Sequence, residues 1–294
     1  MSSRPTGHTG GTVCAKARAL SAADAVSSAA SPSASSSATA GEEASVEPVT
    51  SSSAAGRKRL PAKVMASVAV PSGAKVSAAV LDLESGASAA YGEDTFDTAS
   101  IVKVDILATL LLRAQDAGRR LTATERAYAT KMIENSDNAS ATALWHAIGR
   151  AEGLDAANER FGLSATSGGD GDLWGLTRTT AADQLVLLQQ VFGAQSLLSA
   201  ASRTYVQGLM EGVEADQRWG VSAAAVGSSW ALKNGWMPRS ATGLWDVNSI
   251  GRVTVDGAGL LVAVLSKGTV SQAEGISLVE AAAKAAVAGF ASAS

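Results

Sequence analysis

Cysteine occurs once in the 294 residues, at Cys14. The chain therefore forms no internal disulfide and has no thiolate set for a metal. Histidine is almost as scarce, with His8 in a polar stretch and His146 inside an expected helix. A zinc site or a triad that needs several histidines is left with almost no material, and no metal or other cofactor is expected. There is no GxSxG elbow, HExxH pair, Walker loop or GxGxxG turn. A hydrolase made from this chain must take its base from Lys, Tyr or a carboxylate. A formal net charge of −3 gives no footprint for nucleic acid. No run approaches the roughly 18 apolar residues that span a bilayer. The first twenty residues show no apolar secretory leader, which leaves the compartment open.

What is present divides the chain in two. Residues 1–60 are mostly Ser, Ala, Gly and Thr, too poor in apolar side chains to offset the cost of ordering, and are expected to be a disordered tail. Residues 61–294 carry the periodic patterns. VSAAVLDLESGASAAYG reads as two strands joined at Glu84-Ser85-Gly86. A helix then runs from a cap at Asp97 or Thr98 to Gly118, apolar on nearly every side and so enclosed by protein. Thr122-x-x-Glu125 opens a helix ending near Asn135. ASATALWHAIG is another, stopping at Gly149, and Thr180-x-x-Asp183 opens a third. From Trp230, three glycine-separated strands follow, then a closing helix from Ser271-x-x-Glu274. This order implies an α+β fold. Five antiparallel strands make one sheet with flanking helices, and a mostly helical lobe at about 100–228 is inserted between strands two and three.

Ser-x-x-Lys occurs twice. Ser72 to Lys75 follows a proline and contains glycine, which suits a loop. Ser100-Ile101-Val102-Lys103 lies in the first turn of the enclosed helix, where residues three apart share a face and the amine reaches the hydroxyl. The positive helix end there favours developing negative charge. Burial lowers a lysine pKa by up to about 3–5 units, supplying a neutral base; snorkelling to water or pairing with Asp105 is the alternative for Lys103. Taken alone, Ser136-Asp137-Asn138 also fits a helix stop with a new cap. Lys233-Asn234-Gly235 alone also fits a turn with a solvated lysine.

In this order and spacing the three motifs resemble the SxxK, SDN and K-T-G set of class A β-lactamases and penicillin-binding proteins. The resemblance covers roughly residues 62–294. TASIVK, ENSDNASATALW, LWGLTRTTAADQ and WALKNGW are similar to an actinobacterial branch of β-lactamase-related serine hydrolases. It implies Ser100 as nucleophile, Lys103 as its proton acceptor, and Ser136 as the relay to the leaving nitrogen, helped by Lys233. The N–H groups of Ser100 and Trp236 would form the oxyanion hole, while Asn138, Asn234 and Gly235 would meet the substrate. A substrate carboxylate would want an arginine, Arg239 first and Arg218 or Arg252 behind it. The partner would be a small β-lactam or peptide-like amide or ester, the protein a monomer, and its location outside the cytoplasm.

Three departures accompany the resemblance. Asn234 stands where the family has Thr or Ser. The short interval from Ser100 to Ser136 suggests a trimmed lobe and a wider cleft. The loop FGLSATSGGDGDLWG lacks the deacylating glutamate and offers only Asp170 and Asp172, which are equally turn formers beside glycines. Trp174 either walls the site or packs in the core, and His146 reads as structural. Beside the hydrolase reading stand a D-alanyl-D-alanine peptidase and a catalytically silent binding member of the fold.

Overall fold

A computed structural model describes residues 58–292. The expectation for residues 1–60 falls outside the described residues, apart from its last three positions. Alternating apolar residues build a sheet buried on both faces. Its strands are β1 (Lys58–Arg59), β2 (Lys75–Asp82), β3 (Ser88–Tyr91), β6 (Trp230–Pro238), β7 (Trp245–Val255) and β8 (Ala258–Thr269), ordered β1-β3-β2-β8-β7-β6. The five expected strands are present and pair antiparallel with one another. A sixth, β1, pairs parallel with β3, so the sheet is mixed. Two exposed charged residues carry no period-two pattern, which is why β1 does not show in the sequence. A two-stranded ribbon, β4 (Phe96–Asp97) with β5 (Arg178–Thr179), lies apart from this sheet.

The period-two alternation sends Leu261, Ala263 and Leu265 of β8 into the cluster shared with the helical lobe. Leu260, Val262 and Val264 go to the opposite face, which is covered by α8 (Gln272–Ala291) and the short α1 (Ala62–Met65). The lobe holds α2 (Val102–Asp116), α3 (Ala123–Glu134), α4 (Asn138–Ile148), α5 (Arg150–Phe161), α6 (Ala181–Phe192) and α7 (Ala200–Glu211). Thr122 and Glu125 form the expected capping box, and Asp137, Thr180 and Ser271 cap their helices as read. The start of α5 is unannounced because its cap position is Gly149, with no side-chain acceptor. No described helix is long and apolar enough to cross a membrane.

Twelve of the 15 residues of α2 are buried, which makes it the axis of the lobe. Its side facing α5 carries a charge-bearing defect. Asn158 donates Nδ2 to Asp105 Oδ2 at 3.0 Å, while Asp105 Oδ1, Asn158 Oδ1 and Thr109 Oγ1 are buried without partners. Burial pushes the Asp105 carboxyl up to about 7, the Asn158 bond opposes this, and Asp155 and Asp183 add to it. The folded state then holds a proton that the unfolded chain releases near pH 4. The contribution of Asp105 to stability is thus fullest below pH 4 and is lost as pH rises towards 7. Asp105→Asn removes the cost of ionising and gives Asn158 Oδ1 a donor. Its Tm is expected to rise by about 4 °C or more at pH 8 and by no more than about 1 °C at pH 4. Thermal scans at the two pH values check this.

Candidate active site

The chain enters α2 through a 3-10 turn, Ala99–Ile101, with Ser100 at its middle. Ala99 sits at φ 47°, a left-handed conformation that costs a non-glycine residue about 1–2 kcal/mol. Surrounding bonds hold it there. Asn248 on β7 donates Nδ2 to Asp97 O (2.9 Å) and Thr98 O (3.1 Å), and the Thr98 N–H reaches Thr177 O at 2.9 Å. Strain kept beside a reactive hydroxyl is a feature of functional turns. Gly235 lets β6, the outer strand, lie against this turn. A Cβ at Gly235 would fall 2.6 Å from Ser100 N and 2.8 Å from Thr98 O. β6 thereby runs directly against Ser100 at Gly235.

Lys103 and Lys233 are both fully buried, at 0% exposure, and converge on one hydroxyl. Lys103 Nζ donates to Ser136 O (2.6 Å), Ser136 Oγ (3.1 Å) and Asn138 Oδ1 (2.8 Å). Lys233 Nζ donates to Ser136 Oγ (3.0 Å) and Asn234 O (2.9 Å). Lys103 neither snorkels nor pairs with Asp105. Ser136 is held at φ 55°, a second left-handed non-glycine position, and offers both its carbonyl and its hydroxyl to Lys103. Burial pulls the Lys103 ammonium down to about 7, with the Asp137 charge opposing. Burial, and then the Lys103 charge, also hold Lys233 well below its ordinary value. Two buried amines thus share one hydroxyl, an arrangement that can pass a proton. The other motif, Ser72 to Lys75, leads into β2, where Lys75 pairs with Asp94 at 2.6 Å.

The loop between α5 and β5 supplies a wall and no base. Trp174 donates Nε1 to Thr142 Oγ1 (3.1 Å), which holds its ring 4.9 Å from Lys103 Nζ. Trp145 fixes the loop by donating to Gly171 O at 2.7 Å. Asp172 is drawn onto the helix surface by His146 Nε2 (2.6 Å) and Arg150 Nε (3.0 Å). Those two hydrogen bonds, His146 first, hold its carboxyl below the usual range. Asp170 is exposed, and its carbonyl accepts the Leu173 N–H in a turn. A Cβ at Gly175 would lie 3.8 Å from Ala99 Cα and 3.9 Å from Met237 Sδ. The loop thus touches both the nucleophile turn and β6, which narrows the cleft on that side.

The remaining expected contacts point elsewhere. Asn234 is 1% exposed and gives both Nδ2 hydrogens to main-chain carbonyls, Gln217 O at 2.8 Å and Trp219 O at 2.9 Å. Arg239 pairs with Asp97 (2.6 Å) and lies 3.8 Å from Asp246. Arg218 donates Nε to Val213 O and stacks on Trp230. Arg252 pairs with Glu211 and stacks on Phe192. A hollow of about 340 Å3 holds Arg218 and Arg252 but none of Ser100, Lys103, Ser136 or Lys233. No group of three or more His, Cys, Asp or Glu side chains among the described residues is placed to hold a metal ion. The sequence reading missed Asn248 and Trp219. An Asn amid the Val and Ile of β7 was the available signal, since a buried amide needs partners.

A profile of the β-lactamase enzyme family matches residues 112–290. That span includes Ser136-Asp137-Asn138 and Lys233-Asn234-Gly235 and starts after Lys103. No curated protein matches. Among solved structures, PBP-A is 18% identical with a TM-score of 0.67, over 80% of this chain and 98% of that one. TLA-3 extended-spectrum β-lactamase is 15% identical at TM-score 0.68, over 77% and 96%. A β-lactamase from Burkholderia vietnamiensis is 19% identical at TM-score 0.64, over 79% and 96%. At these identities the likeness is one of fold.

Proposed function

The chain belongs to the β-lactamase enzyme family, and on that premise we propose that it is a serine acyl-hydrolase that acylates Ser100. The observation that carries this reading is Ser136 Oγ held between two buried amines, one of them a turn away from Ser100. Neutral Lys103 takes the proton from Ser100 Oγ as that oxygen adds to the acyl carbon. The N–H groups of Ser100 and Trp236 receive the oxyanion, a contribution of about 10²–10³ in rate per donor. When the C–N or C–O bond breaks, the proton passes from Lys103 through Ser136 Oγ to the leaving atom. Lys233 replenishes the hydroxyl or steadies the charge on it. Asn138, already on Lys103, borders the acyl group. Intact-mass spectrometry after exposure to a penicillin or a reactive ester should show one adduct, mapped to Ser100 and absent from Ser100→Ala. An adduct elsewhere, or none with any donor, overturns the reading.

The pH dependence follows from Lys103. Its free-amine fraction grows as pH passes upward through about 7. Acylation should therefore rise roughly ten-fold per unit below pH 7 and level off above it. A flat profile between pH 5.5 and 8.5, read by stopped-flow acylation, removes the amine from the step. A D-alanyl-D-alanine peptidase is the second reading. The loop that walls Lys103 with Trp174 places no carboxylate there, which favours stable acyl-enzymes. A mutant of PBP-A has been solved as an acyl-enzyme with penicillin G.

A further inference from the structure

Resting on the acyl-enzyme reading above, we infer that Asn248 is a positioning residue for acylation. Its carboxamide holds the carbonyls of Asp97 and Thr98 and thereby keeps Ala99 left-handed, which sets the backbone from which Ser100 projects its hydroxyl and its N–H.

The placement follows from the sheet. Asn248 pairs with Gly235 on β6 and with Leu265 on β8, so its side chain leaves the sheet on the lobe face, where Leu265 also packs. Gly235 beside it has no side chain, and a Cβ there would fall 2.8 Å from Thr98 O. The nucleophile turn occupies the space that this glycine leaves, and Asn248 reaches the turn from the next strand.

An amide is the group this position calls for. One Nδ2 supplies hydrogens to two successive carbonyls, Asp97 O at 2.9 Å and Thr98 O at 3.1 Å. Oδ1 accepts the Ser266 N–H at 3.0 Å, which commits the oxygen to β8 and leaves the nitrogen for the turn. A serine has one hydrogen to give, and an ionised aspartate has none and would face two carbonyl oxygens. The entry to the turn has other anchors. The Asp97 carboxylate pairs with Arg239 at 2.6 Å and Arg178 at 3.2 Å, and the Thr98 N–H reaches Thr177 O at 2.9 Å. Asn248 acts one step further on, because Thr98 O belongs to the peptide that leads into Ala99. The direction of that carbonyl is coupled to the φ of Ala99, which stands at 47°. The other hydrogen on Thr98 O, from the Ile101 N–H, is more distant at 3.3 Å between heavy atoms. With the amide gone, the peptide is free to rotate, and an alanine then favours the right-handed region by roughly 5–30-fold. A glycine enters either region about equally.

The test is single-turnover acylation of the whole chain by 4-nitrophenyl phenylacetate and by penicillin G, read by 4-nitrophenolate release and by intact mass. In Asn248→Ala the maximal acylation rate should fall about 10²-fold, the cost of misplacing a reacting group by about an ångström. The donor concentration at half that rate should move by less than about three-fold, since contacts to the donor are unchanged. The pH midpoint should stay near 7, because Lys103 and its partners are untouched. Ala99→Gly should then raise the rate of Asn248→Ala by at least about ten-fold more than it changes the wild type, since glycine needs no help to stay left-handed. A merely structural role would lower Tm and leave the maximal rate in place. Where Asn248→Ala does not fold, Asn248→Ser, with its single side-chain hydrogen, is read in the same way. A folded variant within about three-fold of the wild-type maximal rate, or a loss that Ala99→Gly does not relieve, overturns the inference and leaves the acyl-enzyme intact. No adduct on Ser100 of the wild-type chain from either donor overturns the acyl-enzyme reading itself, and the inference with it.

Discussion

Lys103→Arg is expected to lower the acylation rate by about 10²–10⁴-fold, the range a positioned general base contributes. The substitution keeps a cation but places in the site a group that does not release its proton near neutral pH. The three donors of Lys103 Nζ are spent on Ser136 O, Ser136 Oγ and Asn138 Oδ1, the arrangement of an ammonium at rest. It must lose a proton before it can accept one from Ser100, and its low pKa puts that loss within physiological pH. Because the residue is fully buried, the larger guanidinium risks overpacking the lobe. Lys103→Met, close in length and without an amine, is the companion variant. Acylation should fall in both, with Tm measured alongside. Wild-type acylation in either folded variant moves the base elsewhere.

The two lysines divide the work by position. Lys103 lies in the first turn of α2, directly after the 3-10 turn that holds Ser100, and Lys233 lies on β6. Both face the same hydroxyl, and the Lys103 charge adds to burial in holding Lys233 below its ordinary value. Among the described residues, Ser136 is the one side chain that bonds both amines. Its left-handed backbone holds the hydroxyl between the two amines, and the next residue, Asp137, caps α4 through the Ser140 N–H at 2.7 Å.

Local signals in the sequence were read well. Thr122 with Glu125 marked one helix start by a capping box, and Thr180 and Ser271 marked two more by their caps. A Glu84-Ser85-Gly86 turn and runs rich in Val, Leu, Ile and Trp between glycines located the five long or well-flanked strands. In the Ser136 triplet, Asp137 is the helix cap of the bland reading, while Ser136 and Asn138 also meet Lys103. What escaped notice depends on contacts between distant segments. The direction of the Asn234 side chain is set by carbonyls 15 and 17 residues away. The latch from Asn248 to the nucleophile turn spans 150 residues or more. His146 read as structural, yet what it holds is Asp172, 26 residues on. Arg239 lay close enough in sequence to the third motif to suggest a carboxylate ligand, but Asp97 claims it.

Once formed, the acyl-enzyme on Ser100 should be long-lived, and steady-state turnover should follow a burst equal to the enzyme present. Hydrolysing an acyl-serine requires a water that is both positioned and deprotonated on one face of the ester. A base placed for that purpose contributes about 10²–10⁴-fold, so its absence slows release by a comparable factor. The loop that borders Lys103 brings Trp174, pinned by Thr142, to 4.9 Å from the amine. An indole there excludes water and accepts no proton. Asp172 is held on the helix surface by His146 and Arg150, and Asp170 is exposed in the preceding turn. Deacylation is left to Lys103, whose ring-covered side faces the loop. Acylation loses little, because it needs only the proton path and the oxyanion donors. Stopped-flow release from a chromogenic acyl donor, with intact-mass sampling during the slow phase, reads both halves. The adduct should persist through that phase. Rapid multiple turnover without a burst or a trapped adduct overturns the expectation. If Asp170→Asn or Asp172→Asn then abolished that turnover in a folded protein, the aspartate concerned would be the deacylating base.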